Sequence, residues 1–187
     1  MVNVHAVEPR SLANGPGVRF VVWFQGCTLG CPGCFNPGTH AASPRPVLSV
    51  DELLGRLEDA SPDVEGLTVT GGEPFQQPQA LQALLKGVKA RTSLSTLVFS
   101  GYALDEIRRR PLGDETLRHV DVLVDGRYEA DRHHGQGLRG SANQKIHLLT
   151  HRYSFDDIDA VPAGEILISP DGRVTVSGVD PLRVEIS

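Results

Sequence analysis

The chain has little of what stabilises small secreted proteins or anchors membrane ones. Cysteine occurs three times in 187 residues, methionine and tryptophan once each, and aromatic residues make up 5%. An odd count of three cannot close a disulfide framework, and the start, Met1-Val2-Asn3-Val4-His5, carries no signal-peptide pattern. A cytoplasmic location with reduced thiols is therefore expected. No apolar run approaches the roughly 20 residues that span a bilayer, so no membrane partner is expected. Positive charge is also short, with 18 Lys and Arg against 23 Asp and Glu, a net charge of −5. That balance argues against a nucleic-acid partner, which calls for a basic stripe. The one basic cluster, Arg108-Arg109-Arg110, reads as a helix end stopped by Pro111.

What remains is an ordinary globular composition, 40% apolar and 22% charged. Its length suits a single domain over residues 1–187 with one core. Val18-Arg19-Phe20-Val21-Val22-Trp23-Phe24 is a nearly continuous run of strand formers, suited to a strand buried on both faces. Trp23 is expected in the core. Ser49 or Asp51 can cap a helix through about Ala60, with Leu53, Leu54 and Leu57 on one face. A strand is expected over Leu67–Thr70 and a helix over Pro78–Ala90, with Leu81, Leu84, Leu85 and Val88 in one stripe.

The alternation continues with a strand over Thr96–Ser100, a helix over Ala103–Arg110, a strand over Val120–Val124 and a further one over Lys145–Leu149. Such alternation predicts an α/β fold with a mainly parallel sheet. A C-terminal β-hairpin is expected at about 165–177, turning at Asp171-Gly172. Ala41–Pro46 reads as a loop, and His133-His134 as a solvated loop.

All three cysteines stand in one stretch, Cys27-Thr28-Leu29-Gly30-Cys31-Pro32-Gly33-Cys34, within a loop over residues 25–38. A structural zinc site with His40 as fourth ligand is one reading, although the usual paired C-x2-C arrangement is missing. Three corners of a [4Fe–4S] cluster is another, because such clusters take cysteine thiolates and the fourth iron would stay open for chemistry. Position adds weight to the second. In parallel sheets ligands sit beyond the carboxyl ends of the strands. The cysteine loop, Gly71-Gly72-Glu73, Ser100-Gly101 and Asp125-Gly126 each follow an expected strand directly, and so should converge on one rim.

The C-x3-C-x2-C loop after one strand, with Thr70-Gly71-Gly72-Glu73-Pro74 after the next, resembles the radical S-adenosylmethionine (SAM) superfamily. Gly15-Pro16-Gly17-Val18-Arg19, Gln25-Gly26-Cys27 and Cys34-Phe35-Asn36-Pro37 resemble its branch that activates glycyl-radical proteins, such as anaerobic ribonucleotide reductase. So do Val122–Tyr128 and Arg139–Gln144, including Asn143. Gly33 stands where many members carry an aromatic residue, and Glu73 where that branch often has Asp.

The resemblance implies a compact partial (β/α) barrel and a [4Fe–4S] cluster held by Cys27, Cys31 and Cys34, with SAM on the fourth iron. Gly33, Phe35, Gly71, Gly72, Glu73, Ser100 and Asp125 would contribute to cofactor binding. Glu73 would meet the methionyl ammonium, and Ser100 and Asp125 the ribose or amino group. For Phe35 a plain core role, and for Ser100 and Asp125 helix capping or turn chemistry, are the competing readings. An electron donor such as flavodoxin or ferredoxin is implied, and the radical would be passed to a glycyl-radical protein. A stand-alone enzyme acting on a metabolite or peptide is the other function this chemistry allows.

Overall fold

The computed structural model describes residues 1–41, 47–169, 172 and 174–180. In chain order the elements are β1 (Val2–Ser11), β2 (Arg19–Phe24), β3 (Val47–Leu48), α1 (Val50–Ala60), β4 (Gly66–Gly71), α2 (Pro78–Arg91), β5 (Ser95–Ser100), α3 (Leu104–Arg108) and α4 (Gly113–Leu117). They continue with β6 (Val122–Asp125), β7 (His133–Gln136), β8 (Arg139–Ser141), β9 (Lys145–Leu148), α5 (Phe155–Asp159), β10 (Gly164–Ile168) and β11 (Val174–Gly178). Seven strands form one sheet in the order β3-β1-β2-β4-β5-β6-β9.

The four central strands, β2, β4, β5 and β6, run parallel, as their alternation with helices predicts. The flanks do not: β1 is antiparallel to both β2 and β3, and β9 is antiparallel to β6. The sheet is thus mixed. The ten-residue β1 is absent from the sequence expectations because its valines alternate with Asn3, His5 and Glu8, so no continuous apolar run marks it. β10 and β11 form a separate antiparallel pair from Gly164↔Gly178 to Ile168↔Val174. Asp171 of the expected turn, and positions 42–46 of the expected loop, lie outside the described residues.

Local signals explain the main helices. Ser49 caps α1 by accepting the Glu52 N–H at 3.0 Å, and Leu53, Leu54 and Leu57 are buried. In α2 the stripe Leu81, Leu84, Leu85 and Val88 faces the sheet core. The third helix is shorter than Ala103–Arg110: α3 ends at Arg108, and Leu112 turns the chain with φ +59° into α4. Arg110 has left the helix and lays its guanidinium 3.9 Å over the Tyr102 ring.

Strand alternation sorts the two faces. Phe20, Val22, Phe24, Leu67, Val69, Val98 and Leu123 join the core under the helices. Leu97, Val122 and Val124 point the other way, against Leu138, Ile158 and Val161. Trp23 shares that second face and lines a cavity there, half-buried, so it is not a core residue.

The second face is sealed at its lower end by Arg19, the first residue of β2, which is 0% exposed. Its guanidinium donates to Thr68 Oγ1 (3.1 Å), Ser95 Oγ (2.6 Å), Leu67 O (2.7 Å), Tyr153 OH (3.2 Å) and Pro16 O (3.4 Å). A single side chain therefore joins three strands and the segment before α5. Arg19→Ala removes all five bonds and opens a void. It is expected to cost on the order of 3–5 kcal/mol, read as a lower urea midpoint of the iron-free protein.

Candidate functional site

The carboxyl ends of β2, β4, β5 and β6 meet at one cavity of about 360 Å³. Cys27, Cys31 and Cys34 line it from the β2 side, and Gly71, Gly72 and Glu73 from the end of β4. Ser100-Gly101 and Gly126 complete the rim after β5 and β6. Trp23, Thr70 and Phe99 form part of its floor from the strands themselves. Residues 175–179 of the β11 region add a wall.

The cysteine loop is anchored at both ends. Gly26 N–H donates to Thr39 O (2.7 Å) and Cys27 N–H to His40 O (3.2 Å), while Cys34 N–H closes a turn onto Cys31 O (3.2 Å). The Gln25 side chain supports the return path through Ala41 O (2.7 Å) and Gly38 O (3.3 Å), and pairs with His5 Nδ1 at 2.8 Å. Gly33 has φ +71° and does not line the cavity; its part is to let the loop turn between Pro32 and Cys34.

The segment after β4 holds the rim together. Gly72 approaches the cysteine loop so closely that a Cβ there would sit 2.3 Å from Gly26 O. This glycine is needed by the protein's own backbone, independently of any ligand. Glu73 is 1% exposed, and its carboxylate accepts from Phe75 N–H (2.9 Å), Ser100 Oγ (2.9 Å) and Gly101 N–H (2.8 Å). Three of its acceptor positions are thereby taken by the chain itself. Burial pushes this carboxyl up to about 7, against the pull of those three donors and of Arg110.

Gln76 and Gln77 follow. Gln76 bonds to Thr28 and to Tyr102, whereas Gln77 donates to Gln25 O and Asn3 O and accepts from Asn3 N–H. Neither glutamine was marked by the sequence, and Gln25 only as part of the Gln25-Gly26-Cys27 resemblance, without a role. A neutral amide carries no charge or metal-ligand pattern, and two glutamines between Pro74 and Pro78 read as helix entry.

The other expected residues separate. Phe35 lines the cavity with its ring 4.4 Å from Tyr128 and 5.9 Å from His133. Ser100 lines it too, while its Oγ accepts Tyr102 N–H at 3.0 Å. Asp125 is placed away from the lining: it accepts Leu104 N–H at 2.6 Å and faces His147 Nε2 at 3.0 Å. Its carboxylate caps the start of α3 because α3 begins directly beside the end of β6. Asn143 Nδ2 donates to Arg127 O at 2.8 Å. His133 and His134 are exposed, but they sit on strand β7, and His133 Nε2 lies 3.4 Å from Asp180 Oδ1.

The donor set can be tested against a cluster. All three cysteines are free, half-buried and turned to the same cavity. Burial pushes the Cys27 and Cys34 thiols up, with Glu73 and the neighbouring cysteines adding to the effect at Cys27. Metal binding must then displace protons. Among the described residues no three His, Cys, Asp or Glu side chains gather around one metal ion. A structural zinc ion closes with four Cys or His ligands, whereas a four-iron cube takes each of three thiolates on a different iron. The residues present fit a [4Fe–4S] cluster.

Residues 13–147 match the family described as the 4Fe-4S single cluster domain. The chain belongs to this family. All the cavity residues drawn from β2, β4, β5 and β6 fall within the matched span.

Among curated relatives of this 4Fe-4S family member, the chain is 33% identical over 151 residues to the anaerobic ribonucleoside-triphosphate reductase-activating protein of Enterobacteria phage T4, covering 78% of this chain and 93% of that one. It is 36% identical over 150 residues to the protein of the same name from Pasteurella multocida, covering 76% and 94%. It is also 34% identical over 149 residues to the pyruvate formate-lyase-activating enzyme of Clostridium pasteurianum, covering 75% of this chain and 60% of that enzyme.

Proposed function

We propose that this chain is a radical SAM activase that installs a glycyl radical on a partner protein, such as an anaerobic ribonucleotide reductase. The observation that carries the reading is the rim itself: three cysteines and the Gly71-Gly72-Glu73 segment line one cavity. The relatives named above point the same way.

Cys27, Cys31 and Cys34 would hold the [4Fe–4S] cluster, and SAM would lie between the cysteine loop and the end of β4. Together these groups supply, when bound, the electron and the sulfonium from which a 5′-deoxyadenosyl radical is released. The chain's own residues position and enclose that chemistry. Glu73 fixes the end of β5 against the end of β4, and Phe35 with Tyr128 forms an aromatic wall on the cavity. Gly33 and Asp125 would support the site from behind, through loop geometry and the α3 cap, and Ser100 from its edge.

No helix among the described residues is long and apolar enough to cross a membrane. A cytoplasmic location and an electron donor such as flavodoxin or ferredoxin complete the reading. The open sheet is read as the partial (β/α) barrel of this superfamily, one domain over 1–187 closed by the C-terminal hairpin.

The test is anaerobic. The purified chain is reconstituted with iron and sulfide, reduced, and mixed with SAM and the candidate reductase. The expected result is a glycyl doublet in the EPR spectrum of the reductase, dependent on SAM. A reconstituted, SAM-cleaving chain that yields no doublet with any glycyl-radical candidate overturns the assignment.

A further inference from the structure

We propose that Gln76 is the positioning residue of the cysteine loop, and that it ties the stretch between Cys27 and Cys31 to Tyr102. The proposal rests on reading Cys27, Cys31 and Cys34 as the cluster ligands. Gln76 ends the 3-10 turn Pro74–Gln76 that follows Glu73. Its Oε1 accepts the Thr28 N–H at 3.2 Å, and its Nε2 donates to Thr28 Oγ1 at 2.8 Å and to Tyr102 OH at 2.9 Å. One amide therefore grips both the backbone and the side chain of the residue next to Cys27.

Nothing else does so. Among the described residues, Gln76 is the one hydrogen-bond partner of the Thr28 N–H and hydroxyl, while the Leu29 N–H turns back to the Cys27 sulfur and ties the loop only to itself. Thr28 is exposed, so without this grip water would compete for it. Leu29 supplies the other anchor, packing against the core and beside Gly101. The far end of the clamp is itself fixed: Tyr102 is buried, and Arg110 lies 3.9 Å over its ring.

Order in this stretch matters because Cys27 and Cys31 must present thiolates to two different irons at fixed bond lengths. A loop that is already ordered loses less conformational entropy when the cluster assembles and releases it more slowly. Gln76 would thus act on the cluster without touching it.

The test uses Gln76→Met, which keeps length and removes the polar atoms, beside Tyr102→Phe, which removes only the hydroxyl. In the reconstituted Gln76→Met chain, loss of the cluster to an iron chelator is expected to be about tenfold faster than in wild type, the scale of one or two net hydrogen bonds. The EPR spectrum of the reduced cluster should broaden as the loop samples more geometries. Tyr102→Phe should show a smaller change in the same direction. The double variant should match Gln76→Met, because the Tyr102 hydroxyl acts through Gln76.

A purely structural role would instead lower the melting temperature of the iron-free chain and leave the chelation rate and EPR spectrum as in wild type; that outcome overturns the proposal. A double variant worse than Gln76→Met by the full Tyr102→Phe effect overturns the tie to Tyr102. A wild-type chain that takes up no cluster at all overturns the reading beneath the proposal, and the proposal with it.

Discussion

Cys31→Ala is expected to give a folded chain that assembles no [4Fe–4S] cluster: iron falls to background, the visible absorption is lost and SAM is not cleaved. The chain has only three cysteines, all in this loop, so no fourth thiolate can take over. A cube with two protein ligands leaves two irons exposed to solvent and to chelation. Folding should survive because the supports of the loop lie elsewhere. Gln25 holds Gly38 O and Ala41 O, Gln76 holds Thr28, and the thiol of Cys31 is half-buried and supports no element of the sheet. The iron-free variant should therefore melt as the iron-free wild type does, within the roughly 0.5 kcal/mol typical of substitutions away from the core. Unchanged iron content and spectrum in Cys31→Ala would remove Cys31 from the ligand set.

The parts of this site that were legible in the sequence are those whose chemistry demands a rare residue or a special backbone. Three cysteines in eight residues have few other uses, and Gly71-Gly72 directly after an apolar strand marks a close approach. The placement of both on one rim followed from strand order alone, since residues after parallel strands share an edge. What the glycines approach was not legible. Gly72 makes room for the backbone of Gly26, a contact between two loops 46 positions apart that no local pattern encodes.

One flank of the fold was hidden for a similar reason. β1 alternates apolar and polar residues and yields only to the partner strand that buries it, whereas the strand over Lys145–Leu149 was legible and only its antiparallel direction was not. The helix over Ala103–Arg110 looked continuous because its charges suit a helix end, yet it stops at Arg108, and Arg110, which precedes Pro111, lies over the Tyr102 ring instead. Asp125 ended a strand in a ligand-facing position by sequence; its carboxylate was drawn to the nearest free amide, that of Leu104. Polar residues at a rim thus divide into those that face a ligand and those that cap the scaffold. Only the neighbouring backbone decides which.

Glu73→Ala is expected to abolish SAM cleavage and to destabilise the iron-free chain by several kcal/mol, more than Glu73→Gln does. The carboxylate is 1% exposed, and its removal strands the N–H groups of Phe75 and Gly101 and the Ser100 hydroxyl in a place water hardly reaches. Each stranded buried donor costs about 1–3 kcal/mol. Glutamine keeps the volume and one acceptor oxygen. With that oxygen at the Oε1 position it still serves Phe75 and Ser100, but its NH2 then faces the Gly101 N–H; flipped, it serves Gly101 and opposes Phe75. Either orientation loses one bond, so an intermediate loss is expected. The pH dependence separates charge from shape. Burial raises this carboxyl from 4.5 to about 7, so the folded chain holds the proton more tightly than the unfolded one. Its stabilising contribution is therefore complete below about pH 4.5 and is lost as pH rises through 7, by roughly 3 kcal/mol at most. Urea unfolding of the iron-free wild type should weaken between pH 5 and pH 8 relative to Glu73→Gln, which cannot titrate. Parallel profiles would mean that the three donors and Arg110 hold Glu73 ionised across that range, and that it braces the rim as a permanent anion.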